Sequence, residues 1–395
     1  MRLLTIEQIF SKENMEYAVR RVIHRSHGAK RAEAVEFGEY WNIYGESLQA
    51  DIIKGKYHSA PYMGVRIPKR GGSGIRMLSI PTTRDKILQL ATEVKLAEYY
   101  DPLFHRCSFG FRKHCSVYKA LKQCLKHINS GMEYVADLDI EGFFDNIEHN
   151  ILEQILVETI QDKRIIKWVC NIVKAGTYLN GTVVRAKKGI SQGSPLSPLL
   201  ANVVLNELDW YLHEQHVLFV RYADDVILFC KCRREAEQAL RNVHSYMTEK
   251  LKLKINWSKT YMMPVDKIEY LGYQFRITNY GCQLKIGDNR QKELFYKIRQ
   301  YVDVPFDKPV EWWNRLGSFN RGWINYYQNA ERKTLLPVIQ QMDAIEQKEI
   351  QKKMQELHKN RKRYYYKTQN SIYKSSFVSN EAWYEDVMRR RTRRG

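Results

Sequence analysis

Several features of common protein classes are missing from this sequence. Its seven cysteines, at 107, 115, 124, 170, 230, 232 and 282, include no Cys-x-x-Cys pair and no Cys/His group at zinc-ligand spacing. This pattern excludes a disulfide framework and favours reduced thiols in a cytoplasmic protein. No run reaches the roughly 18 apolar residues of a membrane span, and the charged, amphipathic N-terminus is unlike a signal peptide. No fixed-period repeat or low-complexity block occurs.

Acidic residues are also in short supply. Lys and Arg number 64 against 44 Asp and Glu, which gives a formal net charge of +20. Because cationic side chains displace counterions from phosphates, this excess suits a protein that acts on nucleic acid. A merely soluble basic protein and one that lies on anionic lipid stay open as alternatives, since net charge alone does not separate them.

The pattern of apolar residues predicts an α+β body with mainly helical ends. Helices are predicted over 4–60, 84–100, 115–130, 197–216, 233–251 and 288–363. The stretch "RIPKRGGSGIRMLSIP" predicts a two-strand ribbon with a glycine-rich tip. Two hairpins are predicted further on, one at the Asn-Gly pair of "TYLNGTVVRAKKGISQG" and one in "IEYLGYQFRITNYGCQLKI".

One strand-like segment contains two adjacent acids. In "FVRYADDVILFC" (219–230), Asp224 and Asp225 stand between two apolar runs, a pattern typical of a tight hairpin that projects acids from its turn. Asp is disfavoured in strands, and an unpaired buried carboxylate is costly. The segment therefore needs a positive partner, unless it is an ordinary surface turn.

A second acidic strand, in "VADLDIEGFFDNIEH", favours a metal site. Asp137 and Asp139 lie on one face of this strand and Ile140 on the other, because side chains alternate. Asp139 beside Asp224 and Asp225 would form a three-carboxylate pocket for two ions, which stabilise the attacking and leaving oxygens of a phosphoryl displacement. Oxygen ligands suit Mg²⁺, with Mn²⁺ as a possible substitute.

The order of the motifs resembles that of bacterial reverse transcriptases of the group II intron-encoded, maturase-like lineage. The similar stretches are "RIPKRGGSGIRMLSIP" and "HRCSFGFR" (fingers), "ADLDIEGFFDNIEH" (first acidic motif), "GISQGSPLSPLLANVVLNELD" (Gln-Gly motif), "RYADD" (catalytic turn), "LKLKINWSKT" and "IEYLGYQF" (palm), and "FNRGWINYY" (thumb). The resemblance covers about residues 60–330 and implies a right-hand polymerase with fingers, palm and helical thumb.

The same resemblance implies boundaries along the chain. They are a helical N-terminal extension (1–60), fingers (61–132), a palm with part of the fingers inserted (133–287), a helical thumb (288–335), and a charged helix with a basic, Tyr-rich tail (336–395). Beyond "RGWINYY" no Cys/His metal site is visible, which puts target-primed insertion into DNA in doubt. The tail sequence "RKRYYYK" could stack on structured RNA or be a solvated end.

Individual residues take roles from the resemblance. Asp139, Asp224 and Asp225 are the expected catalytic metal ligands, joined by the backbone carbonyl of Ile140. Phe144 occupies the place of a steric gate against the ribose 2′-hydroxyl, with ordinary core packing as the alternative.

Further residues are assigned to the incoming nucleotide. Lys69 and Arg76, at opposite ends of the fingers ribbon, are expected to close over the triphosphate, or they belong to a solvated basic hairpin. Gln192 and Gly193 are expected under the base and sugar, with the glycine allowing close backbone approach. Lys259 is expected near the triphosphate or, alternatively, at a surface helix end.

Four residues are assigned to the primer and template: Arg112, Tyr270, Leu271 and Gly272. For Tyr270 and Leu271, packing in a hairpin core is the alternative. The implied function is Mg²⁺-dependent, RNA-directed DNA polymerisation from a primer 3′-hydroxyl, with an RNA template, dNTPs and a cDNA product as partners. A structured non-coding RNA is expected as cognate partner, in phage defence or in a retroelement, and a homo-oligomer is possible. The alternative is a maturase-like RNA-binding protein that assists splicing and mobility; a DNA-templated polymerase also stays open.

Overall fold

The computed structural model describes residues 3–68, 74–185, 187–302, 309–360 and 379–385. The chain divides into two compact units, Met1–Met263 and Pro264–Gly395. The division into five parts that the sequence suggests stays a prediction.

Ten helices of the first unit are described: α1 (Ile6–Ile9), α2 (Lys12–Arg25), α3 (Ala29–Ile53), α4 (Thr83–Tyr100), α5 (Val117–Asn129), α6 (Phe143–Asn146), α7 (His149–Thr159), α8 (Lys163–Val173), α9 (Ser197–Glu214) and α10 (Arg233–Tyr246). A π-helical turn, Met247–Leu251, continues α10. Ser11, Thr82 and Ser116 cap α2, α4 and α5 by accepting backbone N–H hydrogen bonds. The helices predicted at 84–100, 115–130, 197–216 and 233–251 are confirmed, and the helical region predicted at 4–60 is confirmed as far as Ile53.

The strands described in this unit are β1 (Tyr62–Pro68), β2 (Ile75–Ile80), β3 (Tyr134–Leu138), β4 (Thr177–Leu179), β5 (Thr182–Val184), β6 (Leu218–Tyr222), β7 (Asp225–Cys230) and β8 (Tyr261–Pro264), whose last residue opens the second unit. The predicted ribbon is β1–β2, and β1 also pairs in parallel with β4, which gives the sheet order β2-β1-β4-β5. The β4–β5 turn uses Asn180 and Gly181 at φ 48° and 87°, as a type I′ turn requires.

A second sheet, ordered β6-β7-β3-β8, forms the centre of the first unit. Residues Val226 to Cys230 of β7 are all buried, because α5, α9 and α10 pack against this sheet. A strand buried on both faces reads as a continuous apolar run, which explains the sequence "VILFC". Acidic side chains remain only where β3 ends and β7 begins.

The second unit contains a three-stranded sheet and long helices. Its described elements are β9 (Glu269–Tyr270), β10 (Tyr273–Thr278), β11 (Gly281–Ile286), α11 (Asp288–Val302), α12 (Pro309–Tyr327) and α13 (Arg332–Asn360). The predicted hairpin is β10–β11, and the helical region predicted from residue 288 is confirmed over the described residues. Of the helices described, none has the length and apolar character to cross a bilayer.

Candidate active site

Strand register brings the predicted acids together where β3 ends and β7 begins, at one end of the two interior strands of the central sheet. Leu138 of β3 lies opposite Val226 of β7 in an antiparallel pair. Continuing this register by one residue sets Asp139 opposite Asp225. Directly opposite residues in such a pair have Cα atoms about 4.5–5.5 Å apart and side chains on the same face.

The acidic turn is tighter than the sequence pattern suggests. Tyr222 pairs with Asp225, so the two turn residues are Ala223 and Asp224, and Asp225 is the first residue of β7. Ala223 has φ 61°, in the left-handed region. The two acids therefore differ: Asp224 projects from the turn, whereas Asp225 stands on a strand face beside the end of β3.

The pKa values show that these carboxylates share one electrostatic environment. Asp225 is exposed to solvent, yet the surrounding protein desolvates its carboxylate enough to raise its pKa to about 6, and the charges of Asp224 and Asp139 add to the rise. Burial also raises the pKa of Asp224, with Asp139 adding to it and Arg76 and Arg221 opposing it. Clustered carboxylates of this kind titrate normally only when a cation compensates them.

Asp137 is a fourth acid at the same place. It lies two residues before Asp139, on the same face of β3. Burial raises its pKa to about 7, and the charges of Asp225 and Asp139 contribute. The sequence pattern placed Asp137 on this face, but the resemblance assigned it no role.

The donor set fits a hard divalent cation that completes its coordination elsewhere. Within the described ranges, no group of three His, Cys, Asp or Glu side chains is arranged as a ready metal site. Mg²⁺ does not require one, since it binds one or two carboxylates and takes its other ligands from water and substrate phosphates. Asp139, Asp224 and Asp225 are the residues that would hold it.

A turn after the π-helical segment fixes the backbone of Asp139. The Asn256 N–H donates to the Asp139 carbonyl over 2.9 Å, and the Asp139 N–H donates to Thr260 Oγ1 over 3.3 Å. Lys259 is exposed in this turn and not at a helix end. The buried Ile140 forms a bridge with Ile255; the role of its carbonyl as a metal ligand stays a prediction.

The Gln-Gly loop lies between the segment that carries Phe144 and the fingers ribbon. The Ile190 N–H donates to the Phe144 carbonyl over 2.8 Å, and the Ser79 N–H donates to the Gln192 carbonyl over 2.8 Å. Gly193 has φ 136°, and a Cβ there would lie 2.6 Å from the Ser79 carbonyl oxygen. Gly193 thus allows close approach to β2, and its expected approach to the nucleotide stays a prediction.

The two adjacent phenylalanines have different surroundings. Phe143 is 3% exposed and belongs to the core, whereas Phe144 is only partly buried at the core's margin. The two rings meet edge to face, with centroids 5.6 Å apart. Gln192 lines a cavity of about 250 Å³ that Met77, Asp145 and Lys188 also line. A partly buried ring and a lined cavity are compatible with contacts to a nucleotide.

Among the described residues of the fingers ribbon, Arg76 interacts electrostatically with the acids. Arg76 of β2 is exposed, and its charge lowers the pKa of Asp224. Its side chain is therefore within electrostatic range of the acidic turn. Lys69, Gly71 and Gly72 lie outside the described residues.

Comparison with known proteins decides which family this site belongs to. A model of the family "Reverse transcriptase (RNA-dependent DNA polymerase)" matches residues 67–275, just over half of the chain. The matched region contains both acidic segments and the Gln-Gly loop. The chain belongs to the reverse transcriptase family.

Individual relatives agree with this assignment. Protein YkfC of Escherichia coli is 29% identical over 266 residues, which is 58% of this chain and 70% of YkfC. The group II intron-encoded protein LtrA of Lactococcus lactis is 28% identical over 331 residues, 65% of this chain and 55% of LtrA. The putative COX1/OXI3 intron 2 protein of Saccharomyces cerevisiae is 26% identical, over 68% of this chain and 38% of that protein. The chain thus spans about half of LtrA and less of the yeast protein.

The family assignment fixes several general properties. The enzyme class is RNA-directed DNA polymerase, and the fold class is the α+β right-hand polymerase. Reverse transcriptases use divalent metal ions and act on RNA templates. The relatives place this reverse transcriptase in a group II intron-like lineage, as the motif order predicts.

Arg112, assigned to the primer or template, is occupied within the protein. Its guanidinium donates to the Asp101 carboxylate and carbonyl and to the His105 and Ser108 carbonyls, over 2.7–3.0 Å. It also lies over the Phe104 ring, 5.4 Å from the centroid. These contacts hold the loop 101–112 together, and a role at the nucleic acid stays a prediction.

The three residues assigned to the primer form a tight turn in the second unit. Leu271 and Gly272 connect β9 and β10 with φ 50° and 78°, and Tyr270 is buried. The Tyr326 hydroxyl donates to the Leu271 carbonyl over 2.9 Å, and a Cβ at Gly272 would lie 2.6 Å from the Tyr327 hydroxyl. Tyr270 has the core packing that was its alternative interpretation. The basic tail at 361–367 lies outside the described residues.

Sequence reasoning missed a buried polar network beside the catalytic turn. Arg221 and Asp209 are both 0% exposed and form an ion pair, and Asn202 is 1% exposed next to them. The available signal was an Arg at an inward position of an otherwise apolar strand, together with an Asp and an Asn inside the apolar helix α9.

Proposed function

We propose that this protein extends a primer 3′-hydroxyl with deoxynucleotides on an RNA template, using Mg²⁺ held by Asp139, Asp224 and Asp225. The proposal is supported by strand register, which sets Asp139 opposite Asp225, with Asp224 in the adjoining turn, so that acids from two distant chain segments come close together. Burial raises the pKa values of Asp224 and Asp225, and the charge of Asp139 adds to both rises, so the cluster calls for a cation. Mn²⁺ is expected to substitute, because it takes the same oxygen ligands.

Other residues of this chain position the nucleotide. Arg76, within range of the acidic turn, neutralises triphosphate oxygens. The partly buried ring of Phe144 contacts the sugar of the nucleotide and excludes a ribose 2′-hydroxyl by steric clash. When bound, the divalent ions lower the charge barrier for attack by the primer oxygen and departure of pyrophosphate. The carboxylates must be ionised to hold them, so metal loading weakens as the pH falls below the pKa of Asp225, about 6.

The test is primer extension on a defined RNA template with purified wild type, Asp139→Asn and Asp224→Asn. Each substitution is expected to lower kcat at least about 100-fold, because charge stabilisation in the transition state is lost. Glu141→Gln is the matched control, since Glu141 is exposed and lies two residues from Asp139. Wild-type incorporation by both Asp variants would exclude this site.

A second candidate function follows from the relatives. LtrA and the yeast protein are named as intron proteins, so we propose as the alternative that this chain binds a structured, intron-like RNA and assists its splicing. The net charge of +20 suits such a partner. RNA protection and splicing assays with Asp224→Asn separate the two functions, because RNA binding needs no catalytic acid.

The biological role of the protein rests on the sequence alone. A cognate non-coding RNA, a role in phage defence and a homo-oligomer stay predictions from the sequence. Sequencing the nucleic acid that co-purifies with the protein identifies the template and shows whether cDNA is attached. Recovery of one structured RNA with complementary DNA supports the polymerase; recovery of an intron RNA alone supports the splicing role.

A further inference from the structure

Arg221 lies two residues before Ala223, the first residue of the catalytic hairpin turn. It is fully buried, although it is a long charged side chain on the strand that enters the turn. Burying an ion pair is expensive, and such pairs are weak evidence for stability. Its position suggests a part in the polymerase reaction.

The guanidinium of Arg221 connects three structural elements. It grips the Asp209 carboxylate of α9 bidentately, Nε over 2.8 Å and Nη2 over 2.6 Å. Its Nη1 donates to Asn202 Oδ1 over 2.7 Å and to the Ala223 carbonyl over 2.9 Å. Only a planar fork with several fixed donors makes these contacts together, so Lys is not an equivalent residue.

The carbonyl that Arg221 binds belongs to the strained residue of the turn. Ala223 has φ 61°, a left-handed conformation that is unfavourable for a residue with a Cβ. Its carbonyl is part of the peptide plane that continues into Asp224. A hydrogen bond to this oxygen therefore fixes the direction in which Asp224 leaves the turn.

A neighbouring segment supports the same turn from the other side. Asn202 Nδ2 donates to the Gly110 carbonyl over 2.8 Å. A Cβ at Gly110 would lie 2.2 Å from the Ala223 backbone nitrogen. The Phe109 N–H donates to the Arg221 carbonyl, and the Arg221 N–H to the Cys107 carbonyl, each over 2.8 Å. The turn is thus enclosed by backbone on one side and by the guanidinium network on the other.

We infer that Arg221, oriented by Asp209 and Asn202, is a positioning residue that holds the Ala223 carbonyl and so aims Asp224 and Asp225 at the metal site. This inference rests on the proposed polymerase function. According to this inference, the hydrogen bonds of Arg221 with Asp209, Asn202 and Ala223 serve to position the acids and are not needed for folding.

The decisive variant removes both charges at once. Arg221→Met alone leaves Asp209 buried without its partner, which risks unfolding. Arg221→Met with Asp209→Leu replaces the pair by apolar groups, a change that is commonly neutral or stabilising for folding. The melting temperature is expected to be retained, while kcat falls about 10- to 100-fold and the KM for dNTP changes less than about threefold, because misplacement of catalytic groups by about 1 Å costs that much.

A second variant separates geometry from charge. Arg221→Lys keeps a cation beside Asp209 but cannot bind Asp209, Asn202 and Ala223 together. It is expected to fold and to lose kcat about tenfold or more. The exposed pair Arg233 and Glu237 of α10 supplies the matched control, Arg233→Gln with Glu237→Gln, for which wild-type kcat is expected.

Amide hydrogen exchange without metal provides a readout that does not depend on activity. In both Arg221 variants, residues 222–225 are expected to exchange at least about tenfold faster, while Tyr134–Leu138 keep wild-type rates. Wild-type kcat and wild-type exchange in either folded Arg221 variant would overturn the inference. Global loosening, with faster exchange in β3 as well, would also overturn it, because the network would then serve the fold. A wild-type enzyme without incorporation would instead refute the proposed function.

Discussion

Replacing Asp137 by Asn should stabilise the metal-free protein at alkaline pH. Asp137 lies on the same face of β3 as Asp139, and burial raises its pKa from 3.8 to about 7, with Asp225 and Asp139 contributing. The folded state therefore disfavours the charged form. Because Asn cannot ionise, the variant escapes this penalty.

The structure allows the size of the effect to be worked out. A pKa that rises from 3.8 to about 7 corresponds to about 4 kcal/mol, at about 1.4 kcal/mol for each tenfold change in proton affinity. Solvent near the end of β3 screens part of this interaction, so the variant is expected to gain about 2 kcal/mol in free energy of unfolding. The sign follows from the raised folded-state pKa: the wild type loses stability as the pH rises from about 4 through about 7, and the variant does not.

Urea denaturation in EDTA at pH 4.5, 6 and 8 measures the difference. The stability advantage of the variant over the wild type should grow from pH 4.5 to 8. Excess Mg²⁺ should reduce this difference in free energy of unfolding, because the bound cation offsets the negative charge of the acids. Glu141→Gln, at an exposed position nearby, should show no such trend. A stability difference that is the same at all three pH values would refute the reasoning.

Three further predictions concern the nucleotide site and the second unit. Phe144→Val should raise ribonucleotide incorporation at least about tenfold relative to deoxynucleotides, measured by competitive primer extension; unchanged selectivity would leave Phe144 with a packing role only. Gly193→Ala should cost about 1–3 kcal/mol of stability and weaken dNTP binding, because its Cβ would lie 2.6 Å from the Ser79 carbonyl; Gly322→Ala, where a Cβ meets nothing within 4 Å, should fold like the wild type. Glu346 is 3% exposed, and burial raises its pKa to about 7. The wild type should therefore lose up to about 3 kcal/mol in free energy of unfolding as the pH rises from 4.5 to 7, and Glu346→Gln should remove this loss. Urea denaturation that shows the same pH dependence in both proteins would contradict this.

Local patterns predicted most of the secondary structure. Each of these elements follows from residues that are close in sequence: helix α5 from its apolar spacing, the β4–β5 turn from Asn180–Gly181, and the acidic hairpin from two apolar runs on either side of adjacent acids. The parallel pairing of β1 with β4 did not follow, because it joins strands more than 100 residues apart through a short edge contact. Nothing in either strand alone specifies that partner.

The acids were easier to predict than the groups around them. Adjacent carboxylates in apolar strands stand out because burial without a cation is unfavourable. The contact of Arg221 with Ala223 depends on where α9 crosses the strand, and the internal role of Arg112 depends on how the loop 101–112 closes. Both are properties of tertiary packing, so a motif that contains these arginines does not distinguish a substrate contact from an internal one.

Iron-mediated cleavage of the chain tests the central claim most directly. Fe²⁺ substituted into the site and reacted with peroxide generates hydroxyl radicals that cut only the nearby backbone. If Asp139, Asp224 and Asp225 hold the ions, cuts should appear both around residue 139 and around residues 223–226, disappear with excess Mg²⁺, and be absent in Asp139→Asn. Cleavage at only one of the two segments, or cuts that persist in that variant, would contradict the account.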